Sequence, residues 1–302
     1  MTINSISIVG MGALGLMYAD HIQKSQKGNV SFLLNKERME RYKSAHFTVN
    51  GETVHFPMID AEDATPADLV IVATKYNDLR SAMEVMKNAV GENTVIISVL
   101  NGISSEKILA EQYHPQNIIP CVAIAMDAMR DGYALNYCNK GFLRIGTTDS
   151  SQLPAFTALK QFFEDAEIPY TAEEDIMHAM WGKFLLNVGI NQTCMVYDTT
   201  YKGVLTGEQE YRDFVAAMRE VIAISEAENI NLTEDELHSY IQVIHTLNPD
   251  GYPSMRQDAL AQRKSEVDMF AGTVLEIAAK HNIPVPVNEK YYKIVKDRES
   301  RY

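Results

Sequence analysis

Three polar residues recur at intervals of four in an otherwise apolar stretch, Met177 to Val196, which reads M-H-A-M-W-G-K-F-L-L-N-V-G-I-N-Q-T-C-M-V. They are Lys183, Asn187 and Asn191. In a helix each step of four turns about 400°, so the three fall within an arc of roughly 80°. Trp181, Phe184, Leu185, Leu186, Val188 and Ile190 make the rest apolar nearly all round, the pattern of a buried helix. One ammonium and two amides are thereby carried inward, where unpaired burial costs on the order of several kcal/mol. They need partners, in the protein or in a ligand. A lysine that snorkels outward and asparagines that tie loops would satisfy the same requirement. The chemistry open to such a set is carbonyl reduction, because hydride arriving at a carbonyl carbon leaves an alkoxide that needs a proton. A lysine ammonium can donate it, more readily as burial lowers its pKa from about 10.4. The two amides suit the carboxylate and hydroxyl groups of a substrate.

A second stretch reads Pro253-Ser254-Met255-Arg256-Gln257-Asp258 and continues to Arg263-Lys264-Ser265-Glu266-Val267-Asp268. Ser254 with Gln257 matches the S-x-x-Q capping box, so the serine is expected to cap a helix. A cap hydroxyl can still face a ligand, and the N–H groups behind it suit a carboxylate. Glu266 follows about 18 Å further along an unbroken helix. The two serve one site only if that site is elongated along the helix; otherwise Glu266 is a solvated charge.

A reduction also needs a hydride source. Ile6, Ile8 and Val9 form a β-type run that stops at Gly10-Met11-Gly12-Ala13-Leu14-Gly15, and a helix sequence follows from Ala13 to about Lys24. Strand, glycine turn and helix in this order open a dinucleotide-binding βαβ unit. Gly10 makes the tight turn, Gly12 lets the backbone approach a pyrophosphate, and Gly15 brings helix and strand together. The helix start then holds the phosphate. A second strand, Asn29 to Leu34, leads to the ribose. NAD sites place Asp or Glu about 20 residues after the glycines. Here Asn35 is followed by Lys36 and Arg38. An amide and two cations welcome a 2′-phosphate, hence NADP, although such a pair can also simply begin a solvated helix. Asp68 to Thr74 and Thr94 to Leu100 are apolar runs expected of parallel strands buried on both faces. They end in Lys75 and in Asn101-Gly102, and ligands of open parallel sheets bind beyond those carboxyl ends.

The elements that must position these groups fall into two domains. Phe47 to Pro57 reads as a hairpin around Asn50-Gly51, and strands at 118–125, 133–137 and 142–145 precede a helix from Pro154 to Ala166. Residues 1–170 are therefore expected to form an α/β domain with a mostly parallel sheet. From Glu173 onward the periodicity is helical, over 173–195, 208–229, 233–246 and 254–282, with a last short helix after the break at His281 to Asn288. Residues 171–302 are expected to be an all-α domain. With 46% apolar and 22% charged residues the chain is globular in type. Its net charge of −13 argues against a nucleic-acid partner and leaves anionic ligands to local positive groups. No apolar run is long enough to span a bilayer, and no basic, then apolar leader precedes the first strand. Cys121, Cys138 and Cys194 fit neither a disulfide framework nor a metal-ligand spacing. A cytoplasmic protein without metal or membrane partner is the expectation.

The motifs together resemble ketopantoate reductase (2-dehydropantoate 2-reductase) along the whole chain. They are the glycine run, Thr74-Lys75, Asn101-Gly102, Trp181-x-Lys183-x3-Asn187-x3-Asn191, Pro253-Ser254-Met255-x2-Asp258, Glu266 and the tail from Ile283 to Asn288. The resemblance implies a Rossmann domain followed by a helical one, and reduction of ketopantoate to pantoate by NADPH for pantothenate and coenzyme A synthesis. It makes Lys183 the proton donor, with Glu266 also in the catalytic set, and gives substrate binding to Asn187, Asn191 and Ser254 beside that lysine. Cofactor contacts carry over to Lys75, Asn101, Ala128 and Glu266, joining residues 10–15, Asn35, Lys36 and Arg38. A homodimer is compatible with it. Three positions depart from the family pattern: Gln192 stands where proline is common, Gly251 where an asparagine is expected, and Tyr201-Lys202 where another asparagine is expected. Another branched 2-oxo or 3-hydroxy acid as substrate, or a non-catalytic NADPH sensor, are the alternatives.

Overall fold

A computed structural model describes residues 1–302, and the chain divides into two compact units, 1–101 with 105–176 and 102–104 with 177–302. In chain order the first unit contains β1 (Ser5–Val9), α1 (Ala13–Ser25), β2 (Asn29–Leu34), α2 (Lys36–Tyr42), β3 (Phe47–Val49), β4 (Glu52–Val54), β5 (Met58–Asp60), β6 (Leu69–Val72), α3 (Leu79–Met86) and β7 (Val95–Ser98). It continues with α4 (Ser105–Leu109), β8 (Cys121–Ile124), β9 (Met129–Asp131), β10 (Ala134–Asn136), β11 (Phe142–Ile145), α5 (Leu153–Asp165) and β12 (Tyr170–Ala172).

Its central sheet is parallel throughout, in the order β5-β2-β1-β6-β7. Alternate residues serve opposite faces. Ile6, Ile8, Leu69, Ile71, Val95 and Ile97 pack with α1 and α5, whereas Val9, Val70, Val72 and Ile96 pack with α3 and Leu109. The order reverses between β1 and β6, the switch point where open sheets of this kind bind ligands. At the amino edge the Asp68 carboxylate joins those two strands, accepting from Asn4 N, Ser5 N and Ser5 Oγ at 2.9 Å each. Two smaller sheets, β4-β3-β10-β9 and β12-β11-β8, complete the unit. Because β12 pairs parallel with β11, and Gly146 leaves room for Ile176, the first unit continues to 176.

The second unit is helical: α6 (Ile176–Val196), α7 (Tyr201–Thr206), α8 (Glu208–Ala227), α9 (Glu234–His245), α10 (Ser254–Leu260), a π turn (Asp268–Gly272), α11 (Thr273–His281) and α12 (Pro286–Glu299). α6 touches α8 closely at Gly189, where a Cβ would come within 2.6 Å of Met218 and 2.7 Å of Phe214.

The expected helix over 254–282 is not continuous. α10 ends in a left-handed residue, Gln262 (φ 50°), and Arg263 N–H returns to the Asp258 carbonyl at 2.9 Å, a Schellman-type stop. Ser265 is then held away from helix by the buried Glu299 carboxylate, at 2.7 Å from its N and 2.5 Å from its Oγ. Ser254 and Glu266 therefore lie on separate elements, and the helical distance between them does not apply.

Candidate active site

Three glycines at the carboxyl end of β1 have different reasons to be glycine. Gly10 has φ 108°, and a Cβ there would meet the Ala73 carbonyl oxygen at 2.4 Å. At Gly15 a Cβ would meet the Gly10 oxygen at 2.0 Å, so strand and helix approach only without one. Gly12 is free of such limits: its Cβ would find only the Ala73 oxygen, at an ordinary 3.5 Å. The fold requires Gly10 and Gly15 but not Gly12, which leaves a space beside the turn that a side chain would fill. α1 starts there with no side-chain cap and no acidic residue in its first turn. Its leading N–H groups form the cradle a pyrophosphate needs.

A groove of about 220 Å³ lies beside this turn, lined among others by Val9, Leu34, Asn35, Arg38 and Thr74. The Thr74 hydroxyl is buried in it without a partner. The three residues expected to read the ribose have diverged in use. Asn35 caps α2, its Oδ1 accepting from Arg38 N at 2.9 Å. Lys36 is exposed and paired with Glu62 at 2.6 Å, and it does not line the groove. Arg38 lines it and meets no carboxylate. Lys75 follows Thr74 at the end of β6, and Asn101 follows β7. With the glycine turn they share the carboxyl edge of the sheet. Ala128 lies on the segment before β9, whose Met126 meets the Tyr18 hydroxyl of α1 at 3.8 Å. A larger cavity, about 750 Å³, lies at the opposite edge among the amino ends of β1 and β2, and no candidate residue reaches it.

In the second unit Lys183 and Asn187 are half-buried on α6, whereas Asn191 is buried at 6% exposure. Asn191 Nδ2 donates to Asn187 Oδ1 at 3.2 Å, and Asn191 Oδ1 is buried with no partner. A buried acceptor in that condition is uncommon, and its complement is a donor such as a ligand hydroxyl. Nearer the start of α6, Gly182 receives the Tyr240 hydroxyl of α9, since a Cβ would stand 2.2 Å from it. Tyr240 thus packs on the residue just before Lys183 in the chain, an approach that sequence spacing could not have signalled.

Gln192 points the other way and is fully buried. Its Nε2 donates to Val188 O at 2.8 Å and to Asn288 Oδ1 at 3.0 Å, while its Oε1 accepts from Ala271 N at 3.1 Å. Ala271 lies in the π turn, where Gly272 N reaches back to Val267 O at 2.9 Å. The Glu266 carbonyl accepts from both Met269 and Phe270 N–H at 3.0 Å, so this turn fixes where Glu266 begins it. Asn288 in turn meets the buried Glu220 carboxylate at 2.7 Å. Gln192 therefore locks α6 to the turn that carries Glu266.

Ser254 departs from its expected local role. Pro253 occupies the cap position, no side-chain cap bond forms, and Ser254 is the first, exposed residue of α10. Its hydroxyl is available for other work. α10 is anchored by Arg256, which meets Asp198 at 2.5 Å; Arg298 meets the same carboxylate at 2.9 Å and 3.1 Å. The two departures at 201 and 251 touch each other. Tyr201 N donates to Gly251 O at 3.0 Å, and a Cβ on Gly251 would meet the Tyr201 ring at 3.3 Å.

A family model described as Ketopantoate reductase PanE/ApbA matches residues 6–149, and one described as Ketopantoate reductase PanE/ApbA C terminal matches residues 175–299. The 2-dehydropantoate 2-reductase of Streptococcus pyogenes serotype M3 is 24% identical over 300 residues, covering 98% of each chain. That of Yersinia pestis is 24% identical over 301 residues, covering 98% of this chain and 96% of its own. Among solved structures, D-mandelate dehydrogenase with NADH and anilino(oxo)acetate superposes with a TM-score of 0.87 at 18% identity, covering 98% of this chain and 99% of the other. The ketopantoate reductase of Ralstonia eutropha JMP134 gives 0.84 at 21% identity over the same shares, and the dimeric enzyme of Staphylococcus aureus gives 0.81 at 21% over the same shares. A Rossmann-type sheet with its glycine turn, a helical second unit and two family models along one chain converge, and the protein belongs to the ketopantoate reductase family.

Proposed function

We propose that the chain catalyses NADPH-dependent reduction of a 2-oxoacid to the 2-hydroxyacid, with ketopantoate as the substrate. Family membership makes it a reductase. The observation that carries the finer reading is the orphaned Asn191 oxygen beside Asn187 on the face of Lys183, a buried acceptor waiting for a hydroxyl. Ketopantoate offers a hydroxyl, a carbonyl and a carboxylate. Lys183 protonates the developing alkoxide, Asn187 and Asn191 orient the acid, and the exposed Ser254 hydroxyl completes its binding. The glycine turn, Arg38, Lys75, Asn101, Ala128 and Glu266 hold the dinucleotide. NADPH, when bound, supplies the hydride. Arg38 in the groove beside Thr74 favours the 2′-phosphate form. The protein works as a homodimer, checked by light scattering on the eluting peak.

A second reading keeps the chemistry and changes the acid. It rests on the packed pair Tyr201 and Gly251, which puts a ring where the family pattern expects amides. The deciding experiment is NADPH oxidation by the purified protein across ketopantoate, other branched 2-oxoacids and an aromatic one, beside Lys183→Ala. Highest kcat/KM for ketopantoate, with kcat lowered by roughly 10²-fold or more in the variant, supports the first reading. A higher value for another acid supports the second. Tight NADPH binding with no turnover of any acid would replace both with a sensor, and equal efficiency with NADH would refute the role given to Arg38.

A further inference from the structure

We infer that Arg130 is a ligand for the pyrophosphate of the dinucleotide, a role that rests on the proposed cofactor reading. Arg130 sits in β9, half-buried, and its guanidinium is fixed on the glycine turn itself. Nη1 donates to the carbonyl of Met11, the residue between Gly10 and Gly12, and Nε donates to Gly132 O at 2.7 Å. Behind it lie the rings of Tyr42 and Phe47, with centroids 5.9 Å and 5.8 Å away. Those rings pack edge-on with Tyr133, at 6.2 Å and 5.3 Å, and so form one aromatic wall.

This arrangement holds a positive charge without neutralising it. Carbonyl oxygens and ring faces attract a cation, but neither carries a formal charge. A guanidinium has five N–H donors, and two are in use here. In this acidic chain nearly every other arginine meets a carboxylate, as Arg41, Arg80, Arg219 and Arg256 do. Arg130 meets none. A planar fork with open donors, pinned where the uncapped start of α1 offers its N–H groups, matches a diphosphate in charge and in geometry. The turn supplies partial charges, and Arg130 supplies the full one that the net charge of −13 makes scarce.

The alternative is that Arg130 only clamps the β9–β10 hairpin onto the turn. Fragments of the cofactor separate the two roles, because ADP carries the 5′-diphosphate and 2′-AMP carries only the ribose phosphate. The experiment titrates full-length protein, Arg130→Gln and Arg130→Lys calorimetrically with NADPH, ADP and 2′-AMP, with melting curves alongside. Expected is a loss of roughly 10-fold to 100-fold in NADPH and ADP affinity for Arg130→Gln, as for removal of charge-assisted bonds, with 2′-AMP unchanged within about twofold. Arg130→Lys keeps the charge but loses the fork and falls between. Unchanged ADP affinity in either variant overturns the inference. Equal losses for ADP and 2′-AMP overturn it too, in favour of the clamp. If the parent protein binds neither NADPH nor ADP, the cofactor reading itself fails and takes this inference with it.

Discussion

Asn191 keeps a buried acceptor unmatched, and such a group destabilises a fold by about 1–3 kcal/mol. Its truncation should therefore be unusually cheap. Asn191→Ala is expected to unfold within about 1 kcal/mol of the parent in urea, whereas substrate KM rises roughly tenfold or more. A large loss of stability with unchanged KM would make the side chain structural. At this scale the sequence was informative wherever spacing alone decides. Steps of four put Lys183, Asn187 and Asn191 on one face, where the fold leaves Lys183 and Asn187 half-buried and buries Asn191. Spacing failed for Ser254, because the capping pattern competes with the proline before it, and Pro253 took the cap position. The partner of Lys36 was not legible either, since only tertiary structure brings Glu62 to it.

Elements carry the next set of constraints. β1, α1 and β2 were legible almost to the residue, because a buried parallel strand, a glycine turn and a helix each leave a local pattern. The break after α10 was not, since it depends on Gln262 adopting a left-handed conformation and on Glu299 capturing Ser265 from a distant helix. The lock at Gln192 was equally hidden. Proline is common there in the family, yet here it would remove the side chain that satisfies Ala271 N and Asn288 as well as a helical N–H. Gln192→Pro is expected to cost about 3 kcal/mol or more in denaturant unfolding. A second test concerns α4, where burial raises the Glu106 carboxyl from its usual 4.5 to about 7, against hydrogen bonds from its own N–H, Ser105 and Cys121 that lower it; one of its oxygens has no partner. The folded state holds this proton more tightly than the unfolded chain does. Its contribution is thus fully present below pH 4.5 and is lost as pH rises through about 7. Glu106→Gln should flatten that decline. From acidic to alkaline buffer the parent should lose on the order of 2–3 kcal/mol relative to the variant, measured by urea unfolding followed by circular dichroism. Parallel pH profiles would refute it.

For the molecule as a whole, division of labour follows from what each architecture does well. A doubly wound sheet concentrates strand ends and a helix start at one edge, which suits a polyanionic cofactor in a chain that otherwise repels anions. A helical unit instead offers long side chains at fixed rotational intervals, which suits a small acid with several polar groups. Fold class was readable because both halves have strong periodicities of different length. The contact between Tyr201 and Gly251 was not, because the two approach only in the folded chain. That pair also constrains how this sequence can change. An asparagine introduced alone at 251 meets the Tyr201 ring at 3.3 Å and the Asn248 carbonyl at 3.0 Å. Gly251→Asn is expected to lower stability by about 1–3 kcal/mol, and Tyr201→Ala in the same chain should recover part of that, a non-additive pair in thermal melts. What stands at 251 is therefore conditional on what stands at 201, and the two positions are expected to change as a coupled pair rather than independently.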